Sequence, residues 1–341
     1  MKFKVTVVAA AATIGMIGIN ACGGSAGAGR GGEGRTTLHL VAYSVPQAAN
    51  KRIEKDFAKT PEGKGVTWKE SYGASGDQSR AVAGGLPADY VHFSVEGDVT
   101  RLVDDGLVAK DWNKGPTKGI ISSSVVVFVV RKGNPKHINS WDDLVKPGVK
   151  IVTPNPGSSG SAKWNILAAW GHVLAEGGND TQAKAFLTRL FKNVAALPGS
   201  GRDATTAFTG GTGDVLLSYE NEAILARQQG QDFDYVVPED TLKIENPGAV
   251  LKDANPKAKT WLHYLTTKPA QTEFAKTGFR PVIDGVKTRV EGANDPDHPF
   301  PVPKKLLTIK HDFGGWPSAD KKFFAEEDGI VPAIMRATGK D

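Results

Sequence analysis

The chain contains 341 residues, of which 40% are hydrophobic and 23% are charged. This is enough apolar material for one large domain or two of roughly 150 residues, so a disordered, collagenous or coiled-coil protein is excluded. The 42 basic and 37 acidic residues give a net charge of +5, but no run of five or more Lys or Arg indicates nucleic-acid binding. The single cysteine excludes a disulfide framework and a cysteine-based zinc site.

Residues 1–22 have the pattern of an export signal. Two lysines precede an uncharged apolar run, Val5–Ile19, which has the length of a signal-peptide core and is short for a bilayer of roughly 30 Å. The run leads into Ala21-Cys22-Gly23, which resembles a bacterial lipobox. We therefore expect cleavage before Cys22 and lipidation of its sulfur; an ordinary secretory signal with an incidental thiol is the alternative.

A glycine-rich segment, residues 23–36, follows the cysteine. It is predicted to be a tether because it has too few apolar residues to order itself. No later segment offers about twenty consecutive uncharged apolar residues. We expect a folded part on the extracytoplasmic side of the cell membrane, held there only by the lipid on Cys22.

From Thr37 onward, short β-like runs alternate with helical patterns, which predicts an α/β fold. The expected strands are Leu38–Ser44, Val66–Ser71, Tyr90–Phe93, Ser124–Arg131, Lys150–Thr153, Asp214–Tyr219, Tyr235–Pro238 and Gly248–Lys252. The clearest expected helices are Lys51–Ala58, Ser161–Glu176 and Asp180–Lys192. The spacing of apolar residues predicts that the last two helices are amphipathic.

Three loops rich in small residues each follow an expected strand and open a helix: Ser71–Gln78, Pro156–Ala162 and Gly199–Thr205. Their glycines allow a close backbone approach, and their hydroxyls add neutral donors. A helix start has unpaired N–H groups with roughly half a positive charge, which suits an oxyanion. Each loop alone is explained by helix capping, but three such loops at the carboxyl ends of strands predict one binding crevice.

Nucleotide binding and hydrolysis are less well supported by these motifs. Neither the phosphate-loop spacing nor Gly-x-Gly-x-x-Gly occurs in the three loops. The segment Gly157–Ser161 differs by one residue from the nucleophile elbow of serine hydrolases, so a secreted hydrolase using Ser159 is a remote alternative. Its base would have to be a histidine, and the candidates, which we expect at the surface, are His172, His263, His298 and His311.

Metal binding has no clear motif either. No His-Glu-x-x-His or comparable cluster is present. The segment Ser218–Glu222 combines a tyrosine with carboxylates, but it lacks the adjacent tyrosine pair that an iron site would use. We expect no metal and no cofactor.

A series of motifs runs in one order through roughly residues 36–330. They are Ser71–Gln78, Val127–Lys136, Trp141–Leu144, Thr153–Pro156, Trp164–Asn165, Ala168–Gly171, Gly213–Leu217 and Phe313–Trp316. In this order they resemble the sulfate and thiosulfate substrate-binding proteins of bacterial ABC importers. The export signal and tether in front fit the lipoprotein form of such proteins.

The resemblance implies a two-lobed α/β periplasmic binding protein of type II, in which each lobe is a mixed sheet flanked by helices and a ligand cleft lies between them. It implies a monomer without enzyme activity that delivers sulfate to the permease and ATPase subunits of an ABC transporter. A receptor for another oxyanion, such as thiosulfate, molybdate or phosphate, is the alternative.

The implied lobes divide the chain into four segments. Lobe 1 comprises residues 37–117 and 241–305, lobe 2 comprises residues 118–240, and residues 306–341 form a C-terminal segment that packs on the lobes. The lobes are expected to close about strands that cross between them near Gly115–Ser124 and Tyr235–Glu245.

The family's ligand contacts carry over to residues of all three loops and of one strand. They are Ser75, Ser159, Gly160, the backbone of Ser161, the backbone near Gly201, and Tyr219. The sequence departs from the family pattern at three points. Ser161 replaces a second glycine, Tyr219 replaces a tryptophan whose indole N–H reaches the anion, and Ser44–Gln47 replaces an Asp-Pro-Thr-Arg motif.

A pocket lined only by donors would prefer sulfate, which carries no proton at neutral pH, over phosphate, which carries at least one and needs an acceptor for it. Asp77, Asp203 and Tyr219 are the acceptors that could weaken this preference. We expect both aspartates to lie at helix starts and face away from the pocket, because a carboxylate is favoured there by the helix dipole.

Overall fold

The computed structural model describes residues 35–341, in which a mixed β-sheet is flanked by helices. The strands are β1 (Thr36–Tyr43), β2 (Val66–Gly73), β3 (Tyr90–His92), β4 (Ile120–Arg131), β5 (Ile151–Val152), β6 (Val194–Ala196), β7 (Val215–Tyr219), β8 (Phe233–Val236), β9 (Asp240–Val250) and β10 (Lys305–Leu307). The helices are α1 (Gln47–Phe57), α2 (Ser75–Ala83), α3 (Glu96–Asp104), α4 (Trp141–Leu144), α5 (Gly160–Ala175), α6 (Asp180–Lys192), α7 (Gly201–Thr209), α8 (Glu220–Gln228), α9 (Lys257–Leu265), α10 (Lys268–Lys276), α11 (Ile309–Asp312), α12 (Trp316–Ala319) and α13 (Ile330–Thr338), with a π-helical segment at Asp320–Phe324. The predicted signal segment and Cys22 lie outside the described residues.

Two long strands, β4 and β9, connect two halves of the sheet. The strand order is β2-β1-β3-β9-β4-β7-β5-β6, with β8 on β4 and β10 on β9. In the first half, here β1–β3 with α1–α3, β1 runs parallel to both β2 and β3. In the second half, here β5–β8 with α5–α8, β5 runs parallel to both β6 and β7. The chain therefore has the predicted two-lobed α/β fold, and parallel strands place the loops of each half at one edge.

The sequence of β4 explains its central position. Its continuous run of Val and Phe is typical of a strand buried on both faces, and every residue from Ile121 to Val130 is buried. Because side chains alternate across a strand, Val126 and Phe128 enter one hydrophobic core, while Val125 and Val127 enter another. This strand thus anchors both halves.

The two helices predicted to be amphipathic differ in the structure. Helix α6 has the predicted bounds and buries the predicted stripe, which includes Phe186 and Leu190. The amphipathic prediction is wrong for α5, which is buried on almost every side along its first three turns. The reason is the C-terminal segment, whose Trp316 packs edge-on against Trp164 at 4.9 Å between ring centroids.

Strand β9 is one continuous strand, Asp240–Val250, where the sequence predicted a crossing strand near Tyr235–Glu245 and a separate strand at Gly248–Lys252. The observed strand continues through Pro247, which lacks an N–H but accepts a hydrogen bond from the N–H of Phe93 (2.9 Å). A register shift in β4 after Ile120 accommodates the proline. A Cβ on Gly248 would lie 2.3 Å from the Tyr90 hydroxyl, so close packing requires the glycine.

Within residues 35–341, no helix is both long enough and apolar enough to cross a membrane.

Candidate functional site

The three predicted loops meet at the cleft between the two halves. Each follows a strand and opens a helix as predicted: β2 leads to α2, β5 to α5 and β6 to α7. The Gly76 N–H donates to the Ser158 carbonyl (3.0 Å), which joins the first loop to the second across the cleft. The third loop abuts the second, since a Cβ on Gly201 would lie 3.2 Å from Ser161 Oγ. The structure therefore brings the predicted site residues of all three loops together.

The side chains of Ser75 and Ser159 make no helix-capping hydrogen bond. Ala74, not Ser75, occupies the N-cap of α2. Ser159 does occupy the N-cap of α5, but its side chain makes no capping hydrogen bond. In the third loop, by contrast, Ser200 Oγ accepts the Asp203 N–H (3.1 Å) as an ordinary cap does. Capping therefore explains Ser200 but neither Ser75 nor Ser159.

Ser159 has an unused hydroxyl. The residue is only 3% exposed, and its side chain makes no hydrogen bond to any group in residues 35–341. A hydroxyl without a protein partner on a nearly enclosed residue is available to bind a ligand. It stands at the start of the 16-residue helix α5, whose first N–H groups have no partner within the helix.

Ser75 has a different environment, because its hydroxyl is already engaged. Its Oγ–H donates to Asp98 Oδ2 (2.5 Å), and its Oγ accepts the Ser94 N–H (2.8 Å). Burial raises the pKa of the Asp98 carboxyl, while Ser75, Lys163 and Arg101 act in the opposite direction. The orientation of the Ser75 hydroxyl therefore depends on a buried carboxylate.

Tyr219 reaches across the cleft with its hydroxyl. It ends β7 and is 1% exposed, and its Oη lies 2.7 Å from Ser94 Oγ in the first half. Burial raises the pKa of Tyr219, and hydrogen bonds from Ser94, Ser161 and Asn246 offset part of this effect. The phenol is thus a neutral group that bridges the two halves.

Close contacts require a glycine at position 160 and leave little room for a side chain at position 201. A Cβ on Gly160 would lie 2.6 Å from Ser94 Oγ and 2.7 Å from Ser94 Cβ. A Cβ on Gly201 would meet Ser161 and, at 3.5 Å, Val45 of the first half. Val45 belongs to the segment that replaces the family's Asp-Pro-Thr-Arg motif, and its carbonyl accepts a hydrogen bond from Arg202 Nη2 (3.4 Å).

The two aspartates of the loops face away from the cleft, as predicted. Asp77 lies exposed in the first turn of α2 and forms an ion pair with Arg80. Asp203 lies exposed in the first turn of α7, where its Oδ2 accepts the Ser200 hydroxyl (2.8 Å). The buried carboxylate nearest the predicted site residues is instead Asp98, which the sequence did not single out.

The carboxylates beside Tyr219 are held by arginines. Arg280 binds Glu220 through Nε (2.7 Å) and Nη2 (3.0 Å). Arg202 binds Glu222 through Nε (3.0 Å) and Nη2 (2.7 Å). In the part of the chain that the structure describes, no group of three or more His, Cys, Asp or Glu is placed to hold a metal ion.

The four candidate histidines do not lie where a hydrolase using Ser159 would need its base. His263, His298 and His311 are exposed as predicted. The prediction is wrong for His172, which is 8% exposed because the tightly packed helix α5 carries it inward, and its Nδ1 lies 2.9 Å from Asp240 Oδ2. Ser159 hydrogen-bonds to none of them.

A cavity of about 330 Å³ opens beside the second loop and extends to α13. Three of the cations that line it form ion pairs with neighbouring carboxylates: Arg80 with Asp77, Arg101 with Asp98 and Lys163 with Asp320. The cavity shares Gly76, Ser159 and Gly160 with the predicted site, and the carboxylate of Asp98 lines it as well.

Sequence reasoning missed Ser94, Asp98 and Asn246. Asn246 Nδ2 donates to the Ser94 carbonyl (2.9 Å), so all three residues adjoin the predicted site. Ser94 and Asp98 follow β3 as the three loops follow their strands, but the segment contains no glycine-serine pattern. The position at the carboxyl end of a parallel strand was the signal that could have identified them.

Comparison with known proteins identifies the class. Residues 38–280 match the family model "Bacterial extracellular solute-binding protein". A sulfate-binding protein of Synechococcus elongatus is 42% identical over 93% of this chain and 92% of its own, and a thiosulfate-binding protein of Pseudomonas aeruginosa is 36% identical over 89% and 94%. The solved structure of the sulfate-binding protein SubI from Mycobacterium tuberculosis H37Rv superposes with a TM-score of 0.79 at 47% identity, covering 85% of this chain and all of that one. The chain belongs to the bacterial extracellular solute-binding proteins.

Proposed function

We propose that this protein captures sulfate outside the cytoplasm and delivers it to the permease and ATPase subunits of an ABC transporter. The observation that carries the proposal is the hydroxyl of Ser159, a buried residue at the start of α5 whose side chain has no hydrogen-bond partner in residues 35–341, opposite the first half of the molecule. Sulfate is the ligand in the names of two of the relatives described above. The protein acts as a binding protein and not as an enzyme.

The chemistry of the cleft supports an oxyanion as ligand. A buried dianion is stable only if its oxygens are paired, and hydrogen bonds to a charged group contribute roughly 1.5 to 3 kcal/mol each. Ser159 and the backbone N–H groups of Gly160, Ser161 and Gly201 supply donors from the second half. Ser75 supplies one from the first half when its proton turns from Asp98 to the anion. Tyr219 completes the set as a neutral phenol.

Capture requires the two halves to close around the ligand. The predicted lobes, residues 37–117 with 241–305 and residues 118–240, place β4 and β9 at the hinge. The hydrogen bond from Gly76 to Ser158 crosses the cleft and supports a closed arrangement. The C-terminal residues 306–341 would stabilise the second half through contacts such as Trp316 on Trp164.

Calorimetric titration with sulfate, thiosulfate, molybdate and phosphate tests the proposal. We expect sulfate to bind most tightly and phosphate to bind weakly, because its proton finds no free acceptor. Absence of heat with sulfate would contradict the proposed function. Thiosulfate is the second candidate because of the relative that carries its name, and tighter binding of thiosulfate would replace sulfate as the ligand.

We further propose that the protein is a monomer anchored to the extracytoplasmic face of the cell membrane by a lipid on Cys22. Cys22→Ala should release the protein into the soluble fraction while sulfate binding is retained, since no other anchor is evident in the sequence. Cell fractionation after a salt wash measures this. A variant that still sediments with membranes would refute the lipid anchor without affecting the proposed ligand.

A further inference from the structure

Ser94 occupies the point where the two halves meet. It follows β3 in the first half and is 2% exposed. Its backbone N–H donates to Ser75 Oγ (2.8 Å), which ties it to the first loop. Ser94 therefore helps to hold one of the proposed ligand-binding hydroxyls in place.

The remaining polar groups of Ser94 bind the second half and the hinge. Its Oγ lies 2.7 Å from the Tyr219 hydroxyl. Its carbonyl accepts the indole N–H of Trp164 from α5 (3.0 Å) and the side-chain N–H of Asn246 from β9 (2.9 Å). All three polar groups of this residue are thus used, and two of its partners come from across the cleft.

The side chain of Ser94 also fits the start of α5 sterically. Gly160 approaches so closely that a Cβ there would lie 2.6 Å from Ser94 Oγ and 3.1 Å from Val95 Cγ1. Because real Cβ atoms do not approach to such distances, the first turn of α5 can reach Ser94 only through a glycine. The contact requires the halves to be together.

We propose that Ser94 is the closure latch of the binding protein, a positioning residue that joins Ser75 of the first half to Tyr219 and Trp164 of the second when the cleft closes. This inference rests on the proposed function and extends it, since a latch of this kind controls how slowly the anion leaves. Loss of the Ser94 hydroxyl removes the Tyr219 bond and leaves the three backbone bonds intact. The expected consequence is faster opening with little change in the rate of association.

Stopped-flow tryptophan fluorescence on the purified protein measures sulfate release. We expect Ser94→Ala to accelerate release about tenfold, the effect of losing one buried hydrogen bond, and Tyr219→Phe to accelerate it at least as much. The double variant should release sulfate no faster than Tyr219→Phe alone, because that change already removes the Ser94 bond together with the hydrogen bonds to Ser161 and Asn246. Ser123→Ala is the matched control: its buried hydroxyl donates to the Ile244 carbonyl between the two hinge strands and does not cross the cleft.

Hydrogen exchange of the Gly76 amide provides a readout independent of sulfate, because this N–H donates across the cleft to Ser158. Ser94→Ala should speed this exchange while exchange in β4 stays unchanged. Additive release rates, or unchanged release and Gly76 exchange in Ser94→Ala, would overturn the latch while calorimetry still shows sulfate binding. If the wild type binds no sulfate, the proposed function fails, and the Gly76 exchange alone then decides the latch.

Discussion

The two sides of the cleft present their serines differently. On the second half, Ser159 is a buried residue whose hydroxyl has no partner within residues 35–341. On the first half, the hydroxyl of Ser75 is committed to Asp98 and to the Ser94 N–H. The second half thus offers the free Ser159 hydroxyl as a donor to an anion. The Ser75 hydroxyl of the first half already donates its proton to the Asp98 carboxylate. Removing the Ser159 hydroxyl should therefore have different consequences for affinity and stability from removing the Ser75 hydroxyl.

The largest effect on affinity is expected for Ser159→Ala. It should weaken sulfate binding by about 1 to 3 kcal/mol and leave the free energy of unfolding unchanged, because only the ligand uses this hydroxyl. Calorimetry and urea unfolding measure the two quantities. Ser158→Ala is the matched control, since its hydroxyl lies one residue away and donates to the Gly199 carbonyl (2.7 Å). A drop in stability with unchanged affinity would make Ser159 a structural residue.

Ser75→Ala should lower both the sulfate affinity and the free energy of unfolding. Affinity falls by up to about tenfold, because the contested hydroxyl contributes less than that of Ser159. The free energy of unfolding falls by about 1 to 3 kcal/mol, since Asp98 Oδ2 and the Ser94 N–H lose a buried partner. The same titration and unfolding experiments apply. If Ser75→Ala changed the affinity and the free energy of unfolding as much as Ser159→Ala does, the proposed difference between the two serines would be refuted.

Because Asp98 and the bound anion compete for the Ser75 hydroxyl proton, we predict that sulfate affinity depends on pH. Burial raises the pKa of Asp98 above the ordinary Asp value of about 3.9. Its carboxyl therefore becomes neutral at a higher pH than that of an exposed aspartate. A neutral carboxyl no longer repels the dianion and no longer requires the Ser75 proton, so sulfate should bind several-fold more tightly at a pH below the pKa of Asp98 than at a pH above it. Asp98→Asn should flatten this dependence. Tighter wild-type binding at high pH would contradict the mechanism.

Glu54 provides a control for pH effects on folding. It is buried on α1 with Oε1 unpartnered, and burial raises its pKa to about 7. Between pH 4.5 and pH 7 the folded state keeps a proton that the unfolded state has lost, so the fold loses about 2 to 3 kcal/mol as the pH rises through this window. Glu54→Gln should remove that loss in urea unfolding and leave the pH dependence of sulfate affinity unchanged. A changed affinity profile would mean that folding, not Asp98, sets it.

The sequence alone determined the features that depend on local chemistry. Periodicity was sufficient for α6, whose predicted bounds match, because one face of that helix meets the core and the other meets solvent. Gly-Ser loops between strands and helices predicted that Ser75, Ser159 and Gly201 lie at helix starts, because short-range sequence controls where strands and helices begin. The resemblance to binding proteins, carried by colinear motifs, also predicted the class.

Only the tertiary structure decided what those residues touch. Helix α5 lost its solvent face because Trp316, far along the chain, packs on Trp164. Strand β9 continued through Pro247 because its partner β4 shifts register there. Ser94 and Asp98 adjoin Ser75 because β3 pairs with β1 in parallel, and Tyr219 meets Ser94 because β4 and β9 join the two halves. Contacts between residues distant in sequence depend on packing of the whole chain, which no local pattern encodes.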